Sequence, residues 1–356
     1  MDSPAAFDVK IESPGGEGYD MRTIDWRDDR IVAIDQTRLP HEVEFLEIDT
    51  VEDLIAAIRS LAIRGAPAIG VAGALGVALA ARRHPEPAEL RAAVDALRAA
   101  RPTAVNLAWG VDRVRARLDA EGTEAALDEA LAVLAEDVRC CRELSERGAR
   151  WLVETVGPQV AVQTHCNAGA LATVEWGTAL GVVRSLQEHG ALTHVYASET
   201  RPLLQGARLT VWELAQIGVP HTLVVDSAAA SVLAQGRVDA VVVGADRITA
   251  NGDVINKVGT YPLALAAARA GVPMVVAAPE STVDLATPSG ADVHIEVRDP
   301  EEITALGAVA LAPKGTGTLN YAFDVTPADL VTAIVTERRV ILPAAGGRPD
   351  DPISRS

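Results

Sequence analysis

The chain has 356 residues, 49% of them apolar but only 3% aromatic, with 49 acidic against 32 basic side chains and a formal net charge of −17. That length allows about two domains with real cores, and a core built from Ala, Val, Leu and Ile is typical of helix-covered parallel sheets. The negative balance excludes a nucleic-acid binder acting through a general positive field, because that affinity needs Lys and Arg to neutralise many phosphates; a small anion needs only a few local cations.

Residues 1–20, MDSPAAFDVKIESPGGEGYD, lack both an apolar secretion core and an Arg-rich amphipathic pattern, and read as a flexible tail. MRTIDWRDDRIVAIDQ reads as a small hairpin around an Asp28-Asp29 turn. Helical periodicity then dominates from Thr50 to Arg150, with helices predicted near 50–61, 67–82, 86–100, 103–119 and 124–150. The run GAPAIGVAGALGVALAA is short for a membrane span and contains Pro67, so it predicts a buried helix. Its Gly70, Gly73 and Gly76 suit close helix packing. Three cysteines, with Cys140 and Cys141 adjacent, cannot form a disulfide framework, which points to a reducing cytoplasm.

After Gly157-Pro158 come short β-branched runs alternating with Ala-rich helices: QVAVQTH, HVYASE, HTLVVD, DAVVVG, PMVVAA and VHIEV. Apolar on both faces, they predict a parallel sheet, and the fold class is α/β with an all-helical N-terminal domain. The last residues, LPAAGGRPDDPISRS, read as a loose tail. Several predicted strands hand over to polar clusters at their carboxyl ends, where open α/β sheets bind ligands.

Cys166 stands at such an end in QTHCNAG. It is either a small core residue or a thiol whose pKa a following helix N-terminus would lower. His165 is its neighbour, but adjacent strand residues point to opposite faces, so no Cys-His dyad follows. Asp246 ends the Val-rich run VDAVVVGAD; it is either a desolvated acid held protonated near neutrality or a helix cap or partner of Arg247. In IRGAPAIG, Arg64, Gly65 and Ala66 precede a helix start marked by Pro67, an arrangement that fits a phosphate or simply begins a helix with a solvated Arg. Arg101 before Pro102 has a similar setting. Gln205, and Asn256 with Lys257 in the predicted loop NGDVINKVGTY, are polar groups suited to sugar hydroxyls, phosphate or plain solvation. No zinc spacing, P-loop or GxGxxG fingerprint appears, so neither a metal nor a nucleotide cofactor is expected.

Taken together, TIDW, IRGAPAIG, RPTAVNLAWG, QTHCNAGALAT, YASETRPLLQGARLT, GADRITANGDVINKVGTY and KGTGTLN resemble the methylthioribose-1-phosphate isomerase family, aldose–ketose isomerases of methionine salvage. The resemblance runs from about Met21 to Val340. It implies a small hairpin plus helical N-terminal domain over 21–155, a Rossmann-like catalytic domain over 156–342 with a mainly parallel sheet, a tail over 343–356, and a cytoplasmic homodimer. It also implies that Cys166 and Asp246 are catalytic, and that Arg64, Gly65, Ala66, Arg101, Gln205, Asn256 and Lys257 bind a small phosphorylated sugar. The alternatives are a sister isomerase of 5-deoxyribose 1-phosphate or ribose 1,5-bisphosphate, and a non-catalytic regulatory subunit of the initiation-factor exchange complex. Neither nucleic acid nor membrane is an expected partner.

Overall fold

The structure is a computed structural model that describes residues 22–101 and 105–352. The tail over 1–20 and the helix start near Thr103 lie outside those residues. Strands β1 (Ile24–Arg27), β2 (Arg30–Ile34) and β3 (Phe45–Ile48) form an antiparallel sheet, so the expected hairpin gains a third strand. Helices α1 (Val51–Arg59), α2 (Ala66–Arg83), α3 (Pro87–Arg98), α4 (Val105–Glu121) and α5 (Thr123–Val156) follow.

Helix α2 is the axis of this layer. It is buried from Ala68 to Ala81 because its partners surround it, and its glycines let them approach. A Cβ at Gly110 of α4 would stand 2.0 Å from the Gly70 carbonyl oxygen, and one at Gly76 would meet Leu54 and Leu97 within 2.6 Å. Small residues thus set the helix spacing, and the apolar run is a core helix. No helix among the described residues is long and apolar enough to cross a membrane.

The rest of the chain builds a sheet. In order come β4 (Val160–Thr164), α6 (Ala179–Glu188), β5 (Leu192–Ser198), α7 (Val211–Gln216), β6 (His221–Val224), α8 (Ala229–Ala234), β7 (Ala240–Val243), β8 (Arg247–Thr249), β9 (Val254–Lys257), α9 (Thr260–Ala270), β10 (Met274–Ala277) and β11 (Val283–Asp284). Then come α10 (Glu301–Thr304), β12 (Ala305–Leu306), β13 (Val309–Ala310), β14 (Phe323–Thr326), β15 (Ala333–Val335) and β16 (Val340–Ile341). The large sheet has seven strands in the order β16-β15-β10-β7-β4-β5-β6, all parallel except β16. The α/β class with a mainly parallel sheet is borne out.

Alternation explains why its strands are apolar on both faces. Val242 and Val275 join the core under α5 and α6, whereas Val241, Val243 and Val276 join the core under α8 and α9.

Three readings need correction. VHIEV is no sheet strand: it makes one bridge, Val297 to Tyr321, and its Glu296 serves an ion pair, 3.1 Å from Arg298. The sheet position is taken instead by the short run Ala333–Val335. Asn256 and Lys257 lie on strand β9, not in a loop, within a second sheet ordered β11-β8-β9-β14. Residues 343–352, read as a tail, fold back: Arg339 donates to the carbonyls of Pro349 and Asp351, both at 2.7 Å.

Candidate active site

Strand β4 ends at Thr164, and the chain turns sharply through Cys166, which has φ +63°, a left-handed conformation unfavourable for a side-chain-bearing residue. Two hydroxyls clamp it. The Cys166 N–H donates to Thr200 Oγ1 at 2.8 Å, and Thr210 Oγ1 donates to the Cys166 carbonyl at 2.6 Å. His165 also lines the cavity, its Nε2 2.8 Å from the Val258 carbonyl oxygen, with Gly259 beneath the ring.

The expected helix behind Cys166 is absent: a single 3₁₀ turn spans Ala170–Ala172, and α6 begins only at Ala179. Burial, with no adjacent α-helix dipole to oppose it, pushes the thiol above its ordinary pKa. Arg64, Lys257 and the Asn167 N–H pull the other way but do not prevail. The low-pKa thiolate inferred from a helix dipole is therefore overturned.

From the helical layer come Arg64, Gly65 and Ala66. Gly65 has φ +95°, and a Cβ there would lie 2.5 Å from Ala172 Cα, so only glycine allows this turn. Arg64 is buried, its Nη1 and Nη2 donating at 2.7 Å to the Asn167 side-chain oxygen and carbonyl respectively. Arg101, just after α3, comes within 4.0 Å of Glu296; burial lowers its pKa while the charge of Asp246 opposes the shift.

Asp246 sits between β7 and β8, its N–H bonded to the Ile255 carbonyl at 2.9 Å. It caps no helix, and Arg247 pairs with Asp284 instead, at 3.4 Å. Burial raises its pKa, against the pull of Lys257, Arg101 and Arg64. Lys257, buried on β9 with Nζ 5.2 Å from the Phe323 ring centre, is shifted down by burial while Cys166 and Asp246 favour its charge. Asn256 donates to Thr260 Oγ1 at 3.0 Å. Gln205 is placed by Gly206, where a Cβ would strike the Ser198 carbonyl; its Oε1 is buried without a donor among the described residues.

Cys166, Asp246, Arg64, Gly65, Ala66, Arg101, Gln205, Asn256 and Lys257 all line one cavity. Sequence reasoning missed Arg298, which lines it too and is held by Glu302 and Glu296. It directly follows the VHIEV run, so the rule that flagged other strand ends could have found it. Phe323 and Leu203, also in the lining, carry no such signal. Trp109 packs on the helical core, not on this cavity.

A family model described as the initiation factor 2 subunit family matches residues 62–343. The chain belongs to that family. A methylthioribose-1-phosphate isomerase of Anaeromyxobacter sp. (strain K) is 54% identical over 90% of this chain and 93% of its own length. A probable bifunctional methylthioribose-1-phosphate isomerase/methylthioribulose-1-phosphate dehydratase of Nocardia farcinica is 55% identical over 90% of this chain, which spans only 60% of that protein. A 5-deoxyribose 1-phosphate isomerase of Moorella thermoacetica is 50% identical over 90% and 94% of the two chains. Among solved structures, 5-methylthioribose 1-phosphate isomerase from Pyrococcus horikoshii OT3 matches with TM-score 0.83 and 40% identity, covering 90% of this chain and 92% of that one. A chain titled translation initiation factor eIF-2B, subunit delta, from A. fulgidus matches with TM-score 0.80 and 46% identity, covering 91% and 96%. The resemblance drawn from the motifs is borne out.

Proposed function

We propose that the chain is an aldose–ketose isomerase that converts 5-methylthioribose 1-phosphate to 5-methylthioribulose 1-phosphate in methionine salvage. The observation that carries this reading is the single cavity lined at once by a thiol, a carboxyl that burial favours in its protonated form, and the cations Arg64, Arg101 and Lys257. Relatives about half identical along almost the whole chain bear the isomerase name.

An esterified anomeric oxygen prevents the sugar ring from opening unaided. Asp246 donates a proton to the ring oxygen, and the bond from C1 to that oxygen breaks with its electron pair on the oxygen. Hydrogen then passes from C2 to C1, the C2 hydroxyl returns a proton to Asp246, and C2 becomes the ketone. Burial raises the Cys166 pKa, which weighs against a thiolate base and favours migration of the hydrogen with its electron pair. The polarizable sulfur then steadies the positive charge at C1. Arg64, Arg101 and Lys257 hold the phosphate, with the N–H groups at Gly65 and Ala66 beside it. Gln205 Oε1, buried without a donor among the described residues, accepts from a sugar hydroxyl, and Asn256 supports a second.

Assay of the purified protein against three sugar 1-phosphates with methylthio, hydrogen or phosphate-bearing C5 tests the assignment. The methylthio sugar should be turned over best, by about 10-fold or more over the deoxy sugar, and in deuterated water the product should carry no solvent deuterium at C1. Deuterium there would point instead to proton transfer with Cys166 as the base. Turnover of none of the three, with stable hetero-assembly, would make the chain a regulatory subunit. The Moorella relative favours one second reading, 5-deoxyribose 1-phosphate as the preferred substrate. The same proposal takes the chain as a cytoplasmic homodimer.

A further inference from the structure

Glu213 on α7 is 4% exposed, does not line the cavity, and has no part in the chemistry above. Its Oε1 accepts from Asn167 Nδ2 and its Oε2 from the Ala170 N–H, each at 2.7 Å. Gly169 makes room for it: a Cβ there would stand 2.3 Å from Oε2. On the other side of Asn167, the amide oxygen and the backbone carbonyl receive the two guanidinium donors of Arg64. An amide donates at one end and accepts at the other, whereas a carboxylate only accepts and a guanidinium only donates. Turned over, Asn167 would face oxygen against carboxylate and NH₂ against guanidinium. Once ionised, the carboxylate at 213 therefore permits only the orientation that grips Arg64.

We infer that Glu213 is a positioning residue that fixes Arg64 at the cavity through the Asn167 amide, and so sets affinity for the substrate's phosphate. This rests on the reading of Arg64 as a phosphate contact. Burial lifts the Glu213 carboxyl to about 7, while Asn167, the N–H groups of Ala170 and Leu171, and the charge of Arg64 favour its ionised form. Thr210 ties the chain together, accepting from Asn167 Nδ2 at 3.2 Å while donating to the Cys166 carbonyl.

The test measures binding of inorganic phosphate to the full chain by calorimetry, in wild type, Glu213→Gln, Asn167→Ala and the double variant. Each single variant should weaken phosphate binding about 10-fold, and the double variant should bind no worse than the weaker single. With sugar phosphate, KM should rise by a similar factor while kcat stays within about threefold. A folded Glu213→Gln protein with wild-type phosphate affinity, additive losses in the double variant, or no phosphate binding by wild type would overturn the inference. Should Glu213→Gln not fold, a folded Asn167→Ala protein that keeps wild-type phosphate affinity overturns it equally. Wild type that binds phosphate but turns over no sugar 1-phosphate would sink the isomerase assignment alone, leaving the phosphate comparison to decide the role of Glu213.

Discussion

Cys166 occupies a left-handed backbone conformation held by Thr200 and Thr210, and its sulfur faces a cavity shared with Asp246. A backbone clamped in that region fixes where the side chain points. Cys166→Ser keeps the size and the clamp but exchanges a polarizable sulfur for a hydroxyl. Asp246→Asn keeps the shape but removes the acid. Each variant should lose about 10²–10⁴-fold in kcat while keeping the wild-type circular dichroism spectrum and melting temperature; near-wild-type turnover in either would remove that residue from the mechanism. Cys166 and Asp246 could be picked out as polar ends of apolar runs, Arg64, Gly65, Ala66 and Arg101 by the prolines that follow them at helix starts, and Gln205, Asn256 and Lys257 as polar groups beyond strand ends. Glu213 could not. It lies inside the helical run VWELAQ, and only the fold brings it to Asn167, 46 positions away.

At the scale of elements, the strands of the large sheet were legible because Val-rich runs such as AVVV and MVVA are buried at every residue. The second sheet was hidden because β9 reads VINK, where two polar residues end a four-residue strand at the cavity and imitate a loop. VHIEV failed in the opposite sense, since its alternation fits a half-buried strand while Glu296 is used in ion pairs. The β12–β13 hairpin has a different significance. Leu306, Val309 and Leu311 stand 49%, 62% and 54% exposed there, an apolar edge of the kind that protein contacts cover. If this hairpin joins the two copies of the proposed homodimer, sedimentation should give twice 37.3 kDa for wild type and a single-chain mass for Val309→Asp. A wild-type chain that sediments alone would discard the dimer, and a variant that stays paired would move the interface elsewhere.

Across the described residues, burial holds two carboxyls well above their ordinary range. Burial pushes Asp137 up to about 7 from 3.8, against the N–H of Val174 that donates to it, and Glu213 likewise to about 7 from 4.5. In the unfolded chain these groups lose their protons near pH 4, whereas the folded protein keeps them until about 7. Their contribution is thus whole below the unfolded values and falls as pH rises through the interval from 4 to 7, by at most about 4 kcal/mol for Asp137. The net charge of −17 adds self-repulsion in the same direction. The melting temperature should therefore be several degrees lower at pH 8 than at pH 5.5, and Asp137→Asn should recover part of that difference. A profile that is flat or rises over the interval would show that these carboxyls ionise freely in the folded state.

The cavity takes its thiol and carboxyl from the sheet, but Arg64 and Arg101 from the helices that precede it in the chain. On the proposed reading neither portion inherited alone would be a working catalyst: a descendant lacking Arg64 and Arg101 would keep the reactive groups with only Lys257 and Arg298 to steady an anion against them. Gene fusions and splices in such a lineage should therefore break outside the stretch from Leu61 to Phe323, adding new modules at its ends while passing the interior on intact.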